Sequence, residues 1–128
     1  MLKMSKIELV SASFDVKKRE VILPDVAVQL IDFKRESLDE ASIKYRLSFS
    51  VNSGDKDVSL AIKCTFESVY NFDEAGKTLL KDHIVVAHAV SYLREFVANL
   101  TMRSPLPTLI IDPANALTLL KDFQTTEA

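Results

Sequence analysis

The sequence predicts an α+β fold in which antiparallel strands come first and helices follow. Three observations carry that prediction. Apolar and polar residues alternate strictly through 43–51 and again through 58–66, on either side of Gly54. From Asp82 onward the apolar spacing switches to steps of three and four. Three of the four prolines, Pro105, Pro107 and Pro113, then crowd into a short stretch behind that second pattern. Strands and helices in separate runs are the mark of an α+β domain.

The first segment, Ile7–Val16, is apolar and β-branched but loosely patterned, and reads as a strand. The charged stretch 17–20 is a bend, and Pro24 ends any pairing in 21–25. In Val26–Phe33, side chains alternate sides along a strand, so Val26, Val28 and Leu30 share one face. Residues 34–40, KRESLDE, read as a polar connection or a short helical turn, with an acidic docking site as the sharper reading of the same charges. Ile43, Tyr45, Leu47, Phe49 and Val51 then form one apolar face, and Val58, Leu60, Ile62, Cys64 and Phe66 form another. Two such runs around a glycine turn make an antiparallel hairpin.

Between Asp82 and Arg103 the period becomes helical, with Val85, Val86, Ala89, Val90, Tyr92, Leu93, Phe96, Val97 and Leu100 on a broad stripe. The stripe is wider than one small sheet requires, which points to a second buried flank against another subunit. The candidate interface residues are Val85, Ala89, Tyr92, Phe96 and Leu100. Pro105 and Pro107 stop this helix, because the residue before a proline avoids helical backbone. Asp112 as N-cap and Pro113 at the first helical position open a last helix, Ala114–Phe123, with Leu117, Leu120 and Phe123 on one side. A chain of 128 residues is expected to form one domain, 1–128, with 124–128 frayed.

The totals exclude several function classes. A net charge of −2 with no basic stripe speaks against nucleic acid. One cysteine rules out an internal disulfide framework. No apolar run approaches the ~20 residues of a membrane span, and the N-terminal stretch lacks a signal-peptide pattern, so a cytoplasmic protein without membrane insertion is expected. Catalytic signals are weak. His83 and His88 lie about 140° apart on a helix, so they cannot share a metal as i, i+4 ligands do. Cys64, on the apolar face of its strand, reads as a buried structural thiol. No nucleophile elbow, phosphate loop or zinc motif occurs, so no cofactor, metal or catalytic residue is nominated.

The stretch YLREFVANLTMRSPLPTLIIDPANALTLL resembles the C-terminal half of the bacterial export chaperone family SecB. The matching positions are Tyr92, Arg94, Glu95, Arg103, Pro107, Leu109, Ile111, Pro113 and Asn115, without a gap. The segments DVAVQLID and VSLAIKCTFESVYNF resemble the family's early alternating strand and its cysteine-bearing strand. The resemblance implies a four-stranded antiparallel sheet with a long helix and a short C-terminal helix on one face. It implies a homo-oligomer, either a dimer or a dimer of dimers built through the long helices. It also implies ATP-independent holding of unfolded polypeptides, as in protein export and translocation, in an apolar groove. Val26, Val28, Leu30, Leu106, Leu109, Leu117 and Leu120 are the groove candidates.

The sequence also departs from that family. The family docks on the motor SecA through an acidic patch on the sheet's outer face. Here Lys63 and Thr65 flank Cys64, and the acidic pair of the first strand becomes Ser11 and Asp15, leaving Asp15 as the one remnant of a dock. The family's helix proline is Ser91 here. These departures argue against SecA as a partner and raise a second reading, a SecB-like chaperone of an antitoxin or another dedicated partner. A different class, the hot-dog acyl-thioester enzymes, also wraps a sheet around one long helix. Those enzymes place the helix early and need a positioned acid or base.

Overall fold

The computed structural model describes residues 2–16, 26–53, 60–102 and 116–127. In chain order the elements are β1 (Leu2–Val16), β2 (Val26–Asp39), β3 (Ser42–Ser53), β4 (Leu60–Phe72), α1 (Glu74–Leu79), α2 (Asp82–Met102) and α3 (Ala116–Glu127). The strands form one antiparallel sheet in the order β1-β4-β3-β2, so β1 and β2 are its edges. The expected hairpin is β3–β4, with Val51 opposite Ile62. Its turn, Val58 included, lies outside the described residues.

Bulges explain why the two edge strands look irregular in sequence. β1 shifts register around Ser5 and around Val10. Its inward residues therefore come in pairs: Leu2 and Met4, then Ile7 and Leu9, then Ala12 and Phe14, each pair facing the inner side of β4. One extra residue at each bulge resets the two-residue period. β2 behaves alike. Leu30 faces Phe49, Ile31 is the extra residue, and Phe33 faces Leu47. The strand then runs on through 34–39, where a polar connection or helical turn was expected. Backbone pairing to β3 overrides the polar composition there, and a wet outer face accepts the charges. A tight turn at 40–41 closes β2 onto β3, with the Asp39 carboxylate accepting the Ala41 amide at 2.7 Å.

The inner face is the core. Tyr45, Leu47, Phe49, Val51, Ile62, Cys64, Phe66 and Tyr70 from the sheet meet Val85, Val86, Ala89, Val90, Leu93 and Val97 from α2. Each such apolar side chain contributes roughly 1.5–3 kcal/mol when fully buried. Phe49 and Phe66 pack edge-on at 6.4 Å, and Tyr45 meets Tyr70 edge-on at 5.8 Å. α3 rests on β2 and α2, and its Leu119 joins the same cluster, so both long helices lie on one face. Residues 124–127, expected as a frayed tail, continue α3.

α1 gave no periodic signal, being six residues long with a glycine inside. It forms because Asp73 caps it, accepting the Gly76 amide at 2.7 Å, and because Gly76 is buried where α1 meets β1 and β4. Among the described residues, no helix is long and apolar enough to cross a membrane.

Candidate functional site

α3 presents a helical stripe of Ala116, Leu119, Leu120 and Phe123, spaced i, i+3, i+4, i+7. This differs from the expected 117-120-123 set, whose steps of three drift around the helix. Leu119 is the buried member, whereas Leu117 is 59% exposed. α3 does not close down on the edge strand along its whole length. Between them lies a cleft of about 270 Å³ lined by Val28, Gln29, Leu30, Ile31, Leu119, Asp122 and Phe123. Five of those seven side chains are apolar. The bulge in β2 turns Ile31 outward at its rim, 44% exposed. The volume falls just below the ~300–1,000 Å³ of enclosed small-molecule pockets. The cleft can take up apolar side chains, and its Asp122 and Gln29 can meet polar groups at the rim.

Of the groove candidates, Val28 and Leu30 line this cleft. Leu117 and Leu120 instead line a shallower concavity of about 450 Å³ on another side of α3, with Thr118, Lys121 and Gln124. The Val26 side chain, Leu106 and Leu109 lie outside the described residues, as does the proline linker between the two long helices. Ile31, Leu119 and Phe123 were not anticipated as lining. Leu119 and Phe123 were visible as an i, i+4 pair, but the bulge that exposes Ile31 leaves no mark in a single sequence.

The interface candidates separate into two groups. Val85 and Ala89 are 0% and 2% exposed, covered by the chain's own core. Phe96 and Leu100 are partly buried against the same core, and Tyr92 is 42% exposed. The width of the helical stripe has an internal cause: α2 meets the sheet with one flank and α3 with another.

The other side chains singled out in the sequence sit in or against the core or on the sheet's outer face. Cys64 is 2% exposed, and burial pushes its thiol up to about 12, leaving it protonated and inert near neutral pH. The His88 Nδ1 and the Tyr70 hydroxyl share a hydrogen bond of 2.8 Å, and the rings stack at 5.8 Å. Burial likewise raises the Tyr70 phenol to about 12. Asp15 is exposed on the outer face of β1, opposite Ala61, with Lys63 facing Ser13 one step away on that face.

The four-stranded antiparallel sheet with its helices is a SecB-like fold. It is similar to the structure of the Mycobacterium tuberculosis SecB-like chaperone Rv1957, solved in complex with a ChAD peptide from the HigA1 antitoxin, Rv1956. The similarity has a TM-score of 0.69 at 18% identity and covers 88% of this chain and 87% of that one. At that identity the shared property is the fold. No family model matches the chain, and no curated protein matches it in sequence.

Proposed function

We propose that this protein is an ATP-independent holding chaperone of the cytoplasm that shelters unfolded polypeptide, without catalysis and without a cofactor. The observation that carries this reading is the apolar cleft between the β2 edge and α3, open to solvent and lined by Val28, Leu30, Ile31, Leu119 and Phe123. An unfolded chain exposes apolar side chains, and each one buried gains roughly 1.5–3 kcal/mol. One cleft accepts few of them, and association itself costs about 4–15 kcal/mol. A homo-oligomer, a dimer or dimer of dimers, joins several clefts on one client and raises avidity without new contacts. Tyr92, with Phe96 and Leu100, is the helix surface offered to that assembly.

Among clients, a dedicated partner such as an antitoxin is favoured over general SecA-dependent export. Asp15 has Ala61 opposite it and Lys63 nearby, so its charge is not extended into an acidic patch. The similar mycobacterial protein carries an antitoxin peptide, and the same client class is proposed here.

Light scattering of a reduced, aggregating test protein checks the reading. Wild-type chain should suppress the scattering, and Val28→Asp with Ile31→Asp should raise the amount needed at least fivefold while circular dichroism stays unchanged. Equal suppression by the variant removes the cleft from the function. Turnover of an acyl-thioester in the same sample would move the protein to the enzyme class.

A further inference from the structure

The outer face of the sheet has a charge pattern that neither the fold nor the cleft explains. Across one row of the register stand Glu8, Glu67, Arg46 and Lys34, on β1, β4, β3 and β2 in turn. Two anions face each other at one edge and two cations at the other, and like charges directly opposite on a sheet are destabilising. The next row reads Lys6, Val69, Lys44 and Glu36, with opposite charges at its two ends. The next row on the other side is Ser11, Thr65, Ser48 and Asp32, and the one beyond it is Ser13, Lys63, Ser50 and Gln29. Within the chain the ion pairs on this face run from Lys6–Glu8 at 3.2 Å and Lys44–Glu36 at 3.6 Å to Arg46–Glu67 at 3.8 Å, Lys44–Glu67 at 3.9 Å and Lys34–Asp32 at 3.9 Å. Charge-assisted hydrogen bonds close to about 2.7–2.9 Å.

We propose that this face pairs with the same face of a second copy of the chain. A two-fold axis parallel to the strands lays β1 of one copy over β2 of the other, and β4 over β3. Glu8 then meets Lys34 of its partner copy, Glu67 meets Arg46, and Lys6 meets Glu36. Every charge of the first row, and both end charges of the second, finds its opposite. The small Ser11, Thr65 and Ser48 of the adjoining row let the sheets approach. This self-complementarity is what an isologous contact requires. Four strands about 4.8 Å apart and about ten residues long present roughly 600 Å² per face. That is below the ~800 Å² per partner of standard interfaces, so the contact is weak and salt-sensitive. A polyanion such as nucleic acid is disfavoured by the carboxylates interspersed with the cations. The contact is distinct from the cleft's apolar wall of Val28, Leu30, Leu119 and Phe123, which lies on the helix side of the sheet, and meets the cleft only at the β2 edge.

A charge exchange tests the proposal by sedimentation velocity at tens of micromolar protein. At low salt, about 50 mM, the wild-type chain should form species at least twice the size of the one it keeps at 500 mM. Glu8→Lys and Lys34→Glu should each weaken the low-salt association about tenfold, and the double variant should restore it. Glu8 and Lys34 sit on opposite edges, three strand spacings or roughly 14 Å apart, too far to rescue each other within one chain. The single variants move net charge in opposite directions, so a mere charge effect would separate them. Absence of the low-salt species in wild type, or a double variant no better than the singles, overturns the proposal. Loss with Lys34→Glu alone does the same. Client holding by all three variants should remain at the wild-type level, with melting curves as the control for folding.

Discussion

The two long helices treat the same sheet face differently. α2 seals it: Leu47, Phe49, Val51, Val85, Val86, Leu93 and Val97 are all 0% exposed. α3 rests on the β2 edge and leaves a gap, with Leu119 the one buried residue it adds and Leu117 facing outward. The first zone is packed so that one arrangement is fixed. The second keeps apolar surface available that another chain can cover. A sheet covered by one well-seated helix can tolerate a loosely seated second one, because most of the burial energy is already secured at β3 and β4. Stability and binding are therefore expected to separate along the molecule, and substitutions can break or sharpen that separation.

The largest effect should come from the sealed zone. Leu93→Ala removes a fully buried side chain between α2 and the central strands. It should cost about 2–5 kcal/mol, read as a lowered urea midpoint at unchanged slope. A loss under ~1 kcal/mol would mean that the zone under α2 relaxes as easily as the cleft does.

A second effect is set by pH. Unfolded, the Cys64 thiol ionises near 9.0, and folded near 12. Between those values the unfolded chain releases a proton that the folded chain keeps, so stability falls as pH rises from 9 toward 12. Tyr70 acts in the same direction between 10.0 and about 12. Urea melts at pH 8 and 10.5 should show the loss, and Cys64→Ala should shrink it. An equal loss in that variant would place the cause outside the core.

The sealed zone was the legible part of the sequence. Strict alternation in 43–51 and 58–66 has one physical meaning, a half-wet strand, and helical spacing after Asp82 has another. The edges were less legible for a definable reason. In β2 the extra residue Ile31 moves the inward set from even to odd positions, so Val28 and Leu30 are on one pattern and Phe33 on another. A reader counting in twos loses the strand at residue 34, although it continues to Asp39. The cleft was half visible for the same reason: Val28 and Leu30 were on the continuous pattern, while Ile31 owes its exposure to the bulge. Val85 and Ala89 show that periodicity reports that a side is apolar, while tertiary packing decides what covers it. Here the chain's own core does.

The smallest effect on stability should come from the outward side of α3, and it is the sharpest test of the comparison. Leu117 is 59% exposed and lies in the first turn of α3. Leu117→Ala removes little buried area and places the best helix former there, so stability should stay within about 0.5 kcal/mol. If clients use the concavity of Leu117 and Leu120 as well as the β2 cleft, the same variant should weaken holding about twofold in the light-scattering assay. Holding that falls while the melting curve stays in place would separate the two zones at a single residue. A melting curve that drops by the several kcal/mol expected of Leu93→Ala would instead make α3 part of the sealed core.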